Sequence, residues 1–148
     1  MLPKLPGLVT MRLDAIASDR DDAIRQCGRA LVEAGAAAPA YIDTMLDQER
    51  SLSTYAGEGV AIPRGTVAGK DLVHHDAVCV IRFPGGVDWG GNRVALCVGV
   101  TAQENGHPRF FSELARILLD PDQAEALRET ADAIEVLRLL QWEAEEAG

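Results

Sequence analysis

The sequence predicts an α/β sandwich, one domain in which a sheet is covered by helices on both sides. Two amphipathic helical segments lead the chain, two Val-rich apolar runs of strand length occupy its middle, and helical periodicity returns after them. Strands apolar on both faces belong inside a sheet, because each face must be covered by something other than water. The chain's 148 residues, 47% hydrophobic and 25% charged, suit one compact core, so residues 1–148 are read as a single domain.

"ASDRDDAIRQCGRALVEAG" predicts the first helix. Ser18 is the expected N-cap, Asp21 and Asp22 suit the positive end of the helix dipole, and Gly35 supplies the stop. Ile24, Cys27 and Leu31 recur at helical spacing and should face the core. A second helix is expected from Pro39, where a missing N–H costs nothing, to about Arg50, with Ile42, Met45 and Leu46 on one face. "AVCVIRF" and "RVALCVGVTA" read as buried strands separated by a turn-rich "PGGVDWGGN", and "LVTMRLDA" and "GVAIP" as further strand material. "HPRFFSELARILLD" carries Phe110, Phe111, Leu114, Ile117 and Leu118 as a wide apolar stripe, with Pro108 at the first helical position. Short helices are expected around "PDQAEALRE" and "DAIEVLRLLQ", before an acidic tail.

Charge and cysteine content exclude several function classes. A formal net charge of -9 argues against nucleic acid or an anionic membrane as a general partner, since such binding draws on clustered Lys and Arg. No stretch approaches the roughly 20 apolar residues of a bilayer span, and "MLPKLPGLVT" is too short and Pro-punctuated for a signal peptide, so the expected location is the cytoplasm, without membrane insertion. Cys27, Cys79 and Cys97 stand far apart in apolar surroundings. They are expected as buried thiols, with no disulfide framework, metal site or cofactor indicated.

Two places carry chemical interest. In "AIPRGT", Pro63 holds Ile62 extended and Gly65 permits a sharp bend and close approach by a ligand, so Arg64 stands on a firm turn. His107 lies at a predicted helix start, where unpaired N–H groups favour an anion. Spacing alone equally describes a solvated arginine and a capping histidine. His74, His75, Lys70 and Asp71 read as exposed.

"DAIRQCGRALVEAG", "YIDTMLDQERSLSTYAGEGVAIPRGT", "VIRFPGGVDWGG" and "VGVTAQENGHPRFFSELARILLD", in this order and spacing, resemble the enzyme IIA domain of the mannitol/fructose type in the bacterial sugar phosphotransferase system. The resemblance runs from about Leu13 to Leu140. It implies a mixed sheet flanked by helices, and a phosphocarrier that takes phosphoryl from the histidine of HPr and passes it to a cysteine on a sugar-specific IIB domain.

The same resemblance exposes departures. The family's acceptor histidine in "IPHG" is matched by Arg64. Phosphoryl transfer to nitrogen needs the lone pair of a neutral imidazole, and a protonated, delocalised guanidinium has none. It can instead hold a phosphate or carboxylate in fork geometry. The family's "LEREK" arginine is matched by Gln48 in "LDQER"; Arg50, two residues on, points to another helix face. The second histidine of "NEH" or "DEH" is matched by His107 in "ENGH", with Gly106 where the acidic neighbour stands. Ser53, Thr54, Gly65 and Thr66 complete the phosphate-facing set that the resemblance implies, though capping roles suit Ser53 and Thr54 equally. Three functions follow: a working phosphocarrier, a non-catalytic relative that binds a relay partner or a phosphate-bearing ligand, or an anion-binding domain divorced from sugar transport.

Overall fold

The computed structural model describes residues 8–101, 116, 120–130, 132 and 135. Its elements are β1 (Leu8–Arg12), α1 (Arg20–Glu33), α2 (Tyr41–Ser51), β2 (Tyr55–Gly57), β3 (Val60–Ala61), a 3-10 helix (Val67–Leu72), β4 (Ala77–Trp89), β5 (Asn92–Thr101) and α3 (Pro121–Glu129). His107, the Phe110–Leu118 stripe and the helix expected at "DAIEVLRLLQ" lie outside the described residues, apart from Arg116, Asp132 and Glu135.

One five-stranded sheet runs in the order β1-β4-β5-β3-β2. β1 pairs with β4 and β3 with β5 in parallel, whereas β4–β5 and β2–β3 are antiparallel, so the sheet is mixed. Side chains alternate across it. Cys79, Ile81, Phe83 and Cys97 face a core closed by Ile24, Cys27 and Leu31 of α1 and Tyr41, Met45 and Leu46 of α2. Val78, Val80, Leu96, Val98 and Val100 face the other way, onto Ala124 and Leu127 of α3. Helices therefore cover both faces, which is why β4 and β5 are apolar at almost every position.

Local chemistry sets the boundaries, and it corrects three expectations. The N-cap of α1 is Asp19, whose carboxylate accepts from the Asp22 N–H at 2.8 Å. Ser18 stands one residue earlier and donates its own N–H to Asp22 Oδ2 at 2.9 Å, so two acidic side chains share the capping. The stop is as expected: Gly35 adopts φ +81°, and the Gly35 and Ala36 N–H groups bond back to Val32 and Leu31 carbonyls. α2 begins at Tyr41 rather than Pro39, because Ala38, Pro39 and Ala40 form the turn whose carbonyls receive the N–H groups of Tyr41, Ile42 and Asp43.

The third correction concerns "PGGVDWGGN". β4 continues through Trp89, with its register against β5 shifted between Arg82 and Val87, and only Gly90 and Gly91, both at positive φ, make the turn. Trp89 is packed inside at 2% exposure.

The three cysteines are buried and unpaired. The neighbouring Cys27 thiol and complete burial hold the Cys79 thiol well above its ordinary value, which keeps it inert. Arg82 ties the far face together, donating to the carbonyls of Leu13, Glu129 and Thr130, the last two at the C-terminal end of α3 where a cation is favoured. Among the described residues no helix is long and apolar enough to cross a membrane.

Candidate functional site

The Arg64 turn extends β3 past the end of its pairing. The Val100 N–H donates to the Pro63 carbonyl at 3.0 Å, and Arg64 makes a parallel bridge to Val100. On the other side the Ile62 N–H donates to Thr54 O at 2.9 Å, so the turn is suspended between β5 and the chain leaving α2.

Its seat is the first turn of α2. Tyr41 Oη accepts the Gly65 N–H at 2.8 Å and donates to Val100 O at 3.1 Å. A Cβ on Gly65 would stand 2.5 and 2.8 Å from the Tyr41 ring carbons Cε1 and Cζ and would overlap Thr44 Oγ1, so only glycine fits this approach. Burial pushes the Tyr41 hydroxyl up, against opposing pulls from the Gly65 N–H and the Arg64 charge. The phenol therefore keeps its proton through neutral pH. Thr66 caps the following 3-10 helix, its Oγ1 accepting from the Gly69 N–H.

Arg64 is half-buried, and its Nη1 donates to Ile62 O at 3.1 Å. That bond folds the guanidinium back over its own turn. Gln48 is half-buried on α2. It lies one helical turn beyond Thr44 and two beyond Tyr41, on the face that seats the turn. Arg50 is bonded to Asp47 at 2.8 Å and largely exposed, on another face.

Ser53 is exposed, with Oγ accepting from the Tyr55 N–H. Thr54 is buried at 4%, and its hydroxyl and N–H both donate to Glu49. The hydroxyl that the sequence offers to a phosphate is thus engaged by the scaffold. His74 and His75 are exposed ahead of β4. Among the described residues no cluster of three or more His, Cys, Asp or Glu side chains is placed to hold a metal ion.

Sequence reasoning passed over Glu49 and Tyr41. Glu49 is 4% exposed and accepts from Thr54 and from Trp89 Nε1, at 3.0 Å, which fixes the segment from α2 to β2. A carboxylate inside "LDQER" gives no sign of burial, because its tryptophan partner is forty residues away. Tyr41 reads as one more apolar helix residue until its hydroxyl partners are known.

Residues 8–142 match the family model for the phosphoenolpyruvate-dependent sugar phosphotransferase system, EIIA 2. The chain belongs to this EIIA family. It is 36% identical over 129 residues to the mannitol-specific phosphotransferase enzyme IIA component of Geobacillus stearothermophilus, covering 86% of this chain and 89% of that protein. It is 40% identical to the multiphosphoryl transfer protein of Xanthomonas campestris over 93% of this chain, and spans 16% of that relative's length. Among solved structures, the Escherichia coli complex of enzyme IIAMTL with phosphorylated enzyme IIBMTL aligns with a TM-score of 0.82 at 36% identity, over 88% of this chain and 93% of that one. The crystal structure of mannitol IIA from the same organism gives 0.81 at 36% identity, over 88% and 95%. The mixed sheet with helices on both faces is the EIIA arrangement, and in this EIIA chain the turn at Pro63–Gly65 carries an arginine.

Proposed function

We propose that this EIIA domain engages a phosphoryl-bearing partner of the sugar phosphotransferase relay and holds the phosphoryl group as an anion at Arg64, without accepting it covalently there. The partners are HPr and a sugar-specific IIB domain, and the place of action is the cytoplasm. The observation that carries the reading is Arg64 itself, at the turn where the family resemblance puts the acceptor histidine. A guanidinium's lone pair is delocalised over its planar cation, so it has no electron pair to offer phosphorus, yet it can donate to phosphate oxygens bidentately.

Gln48, on the helix face beneath the turn, takes the place of the family's arginine and supplies an uncharged amide. Ser53 and Thr66 flank the anion, Gly65 lets the turn sit close on Tyr41, the family resemblance assigns His107 to the same set, and Thr54 contributes by holding Glu49. Family membership and the Escherichia coli complex with a phosphorylated IIB support docking of this kind, and the mannitol names of the relatives make a mannitol IIB the first partner to try.

The test is incubation with phosphoenolpyruvate, enzyme I and HPr, followed by intact-mass analysis. The natural chain should gain no acid-labile phosphoryl group, and Arg64→His should gain one. Sulfate or phosphate titration should show binding that weakens on Arg64→Ala. A phosphohistidine recovered from the natural chain would refute the reading and favour a working phosphocarrier using another imidazole, the alternative that family membership supports.

A further inference from the structure

We propose that Tyr41 is the positioning residue of the Arg64 turn: its hydroxyl ties the turn's backbone to the end of β5 and so sets where residue 64 presents its side chain, whatever that side chain is. The functional consequence rests on the anion-holding reading above; the geometry does not.

Besides the Ile62 N–H bond to Thr54 O, three hydrogen bonds meet around Tyr41 and Val100. The Val100 N–H reaches Pro63 O, the Gly65 N–H reaches Tyr41 Oη, and Tyr41 Oη reaches Val100 O. None of them uses the side chain at position 64. Tyr41 and Val100 are 3% and 2% exposed, so water is a poor substitute for either bond. A phenol suits the place because one oxygen both accepts from Gly65 and donates to Val100 while its ring fills the space left by the missing Gly65 side chain. Thr44 braces the arrangement from beneath, its Oγ1 donating to Tyr41 O at 2.7 Å. Phenylalanine at position 41 would keep the ring and leave the Gly65 N–H and one Val100 carbonyl bond unmade.

The experiment compares the natural chain with Tyr41→Phe by amide hydrogen exchange and sulfate titration, and repeats both variants in an Arg64→His background with phosphorylated HPr. We expect the Gly65 amide to exchange about tenfold faster or more in Tyr41→Phe. Val98, in the middle of β5, should slow or quicken only with global stability. Sulfate affinity should fall about fivefold, the loss of roughly one net hydrogen bond's worth of alignment. Phosphoryl transfer to the Arg64→His variant should slow by a similar factor at saturating HPr, which a merely structural loss of stability would not produce in protein that remains folded.

An unchanged Gly65 exchange rate overturns the proposal. Faster exchange with unaltered affinity and unaltered transfer also overturns it, since the tie would then be scaffold only. If the natural chain binds no sulfate, the anion-holding reading fails by itself, and Gly65 exchange with transfer to Arg64→His still decides Tyr41. Should Tyr41→Phe not fold, the natural chain decides: a Gly65 amide exchanging at the rate of an open turn refutes the tie, and one protected as strongly as the strand amides supports it.

Discussion

At its N-terminal end α2 grips the Arg64 turn through a phenol that bonds only backbone atoms, Gly65 N–H and Val100 O. At its C-terminal end the same helix grips the next segment through a buried carboxylate, Glu49, whose partners include the side chains of Thr54 and Trp89. The first arrangement is indifferent to what stands at position 64. The second depends on the identity of each member. The turn's backbone seat therefore places no demand on the side chain it displays, while Glu49 is held by two side-chain partners at once.

The comparison fails first at Glu49 if it fails anywhere. Removing one member of a buried charged network leaves its donors unpaired, so Glu49→Ala should cost about 3 kcal/mol or more. Urea unfolding followed by tryptophan fluorescence measures this; a loss below about 1 kcal/mol would mean that water replaces the carboxylate easily. At the other end Gly65→Ala should cost about 1–3 kcal/mol, because its methyl overlaps Thr44 and Tyr41. Thr44→Ala in the same chain should recover part of that loss, a coupling that a double-mutant cycle reads directly.

A half-buried carboxylate separates burial from charge. The Ser18 N–H lowers the Asp22 carboxyl below its ordinary 3.8, with burial opposing and Gln26, the Ser18 hydroxyl and Arg29 helping. A depressed folded-state value contributes stability above the unfolded pKa and loses it as pH falls through the folded one. Asp22→Asn should therefore be slightly less stable than the natural chain at pH 7, with the two unfolding curves converging at acid pH; a gap that persists there would assign the effect to shape instead of charge. The smallest change is expected where the chemistry differs most. Arg64→His should shift stability by no more than about 0.5 kcal/mol, since the backbone bonds from Pro63 O and Gly65 N–H that seat the turn do not run through that side chain. A larger loss would show that the Arg64–Ile62 bond supports the turn after all.

Much of this was open to reading in one dimension. The apolar runs of β4 and β5 announced a sheet covered on both faces, the Gly35 stop sits where composition put it, and "PRGT" marked the turn. Short-range chemistry carries such signals, because caps, turns and periodicity are decided within a few residues. The misreadings share a cause. "PGGVDWGGN" looks like a loop by its glycines, yet pairing with β5 draws most of it into a strand. For Thr54 the sequence left a phosphate contact and a local capping role equally open, and Glu49 is found against it.

By itself the amino-acid order determined the α/β class, the two leading helices, the buried strands β4 and β5 and the cation at position 64, since patterning and side-chain chemistry are local properties. Only the tertiary structure decided that Tyr41, twenty-four residues from Gly65 and fifty-nine from Val100, closes the turn with one oxygen, and that Glu49 meets Trp89 across forty residues. Hydrogen bonds of that kind require partners brought within about 3 Å by the packing of a helix on a sheet, a distance that sequence separation does not encode.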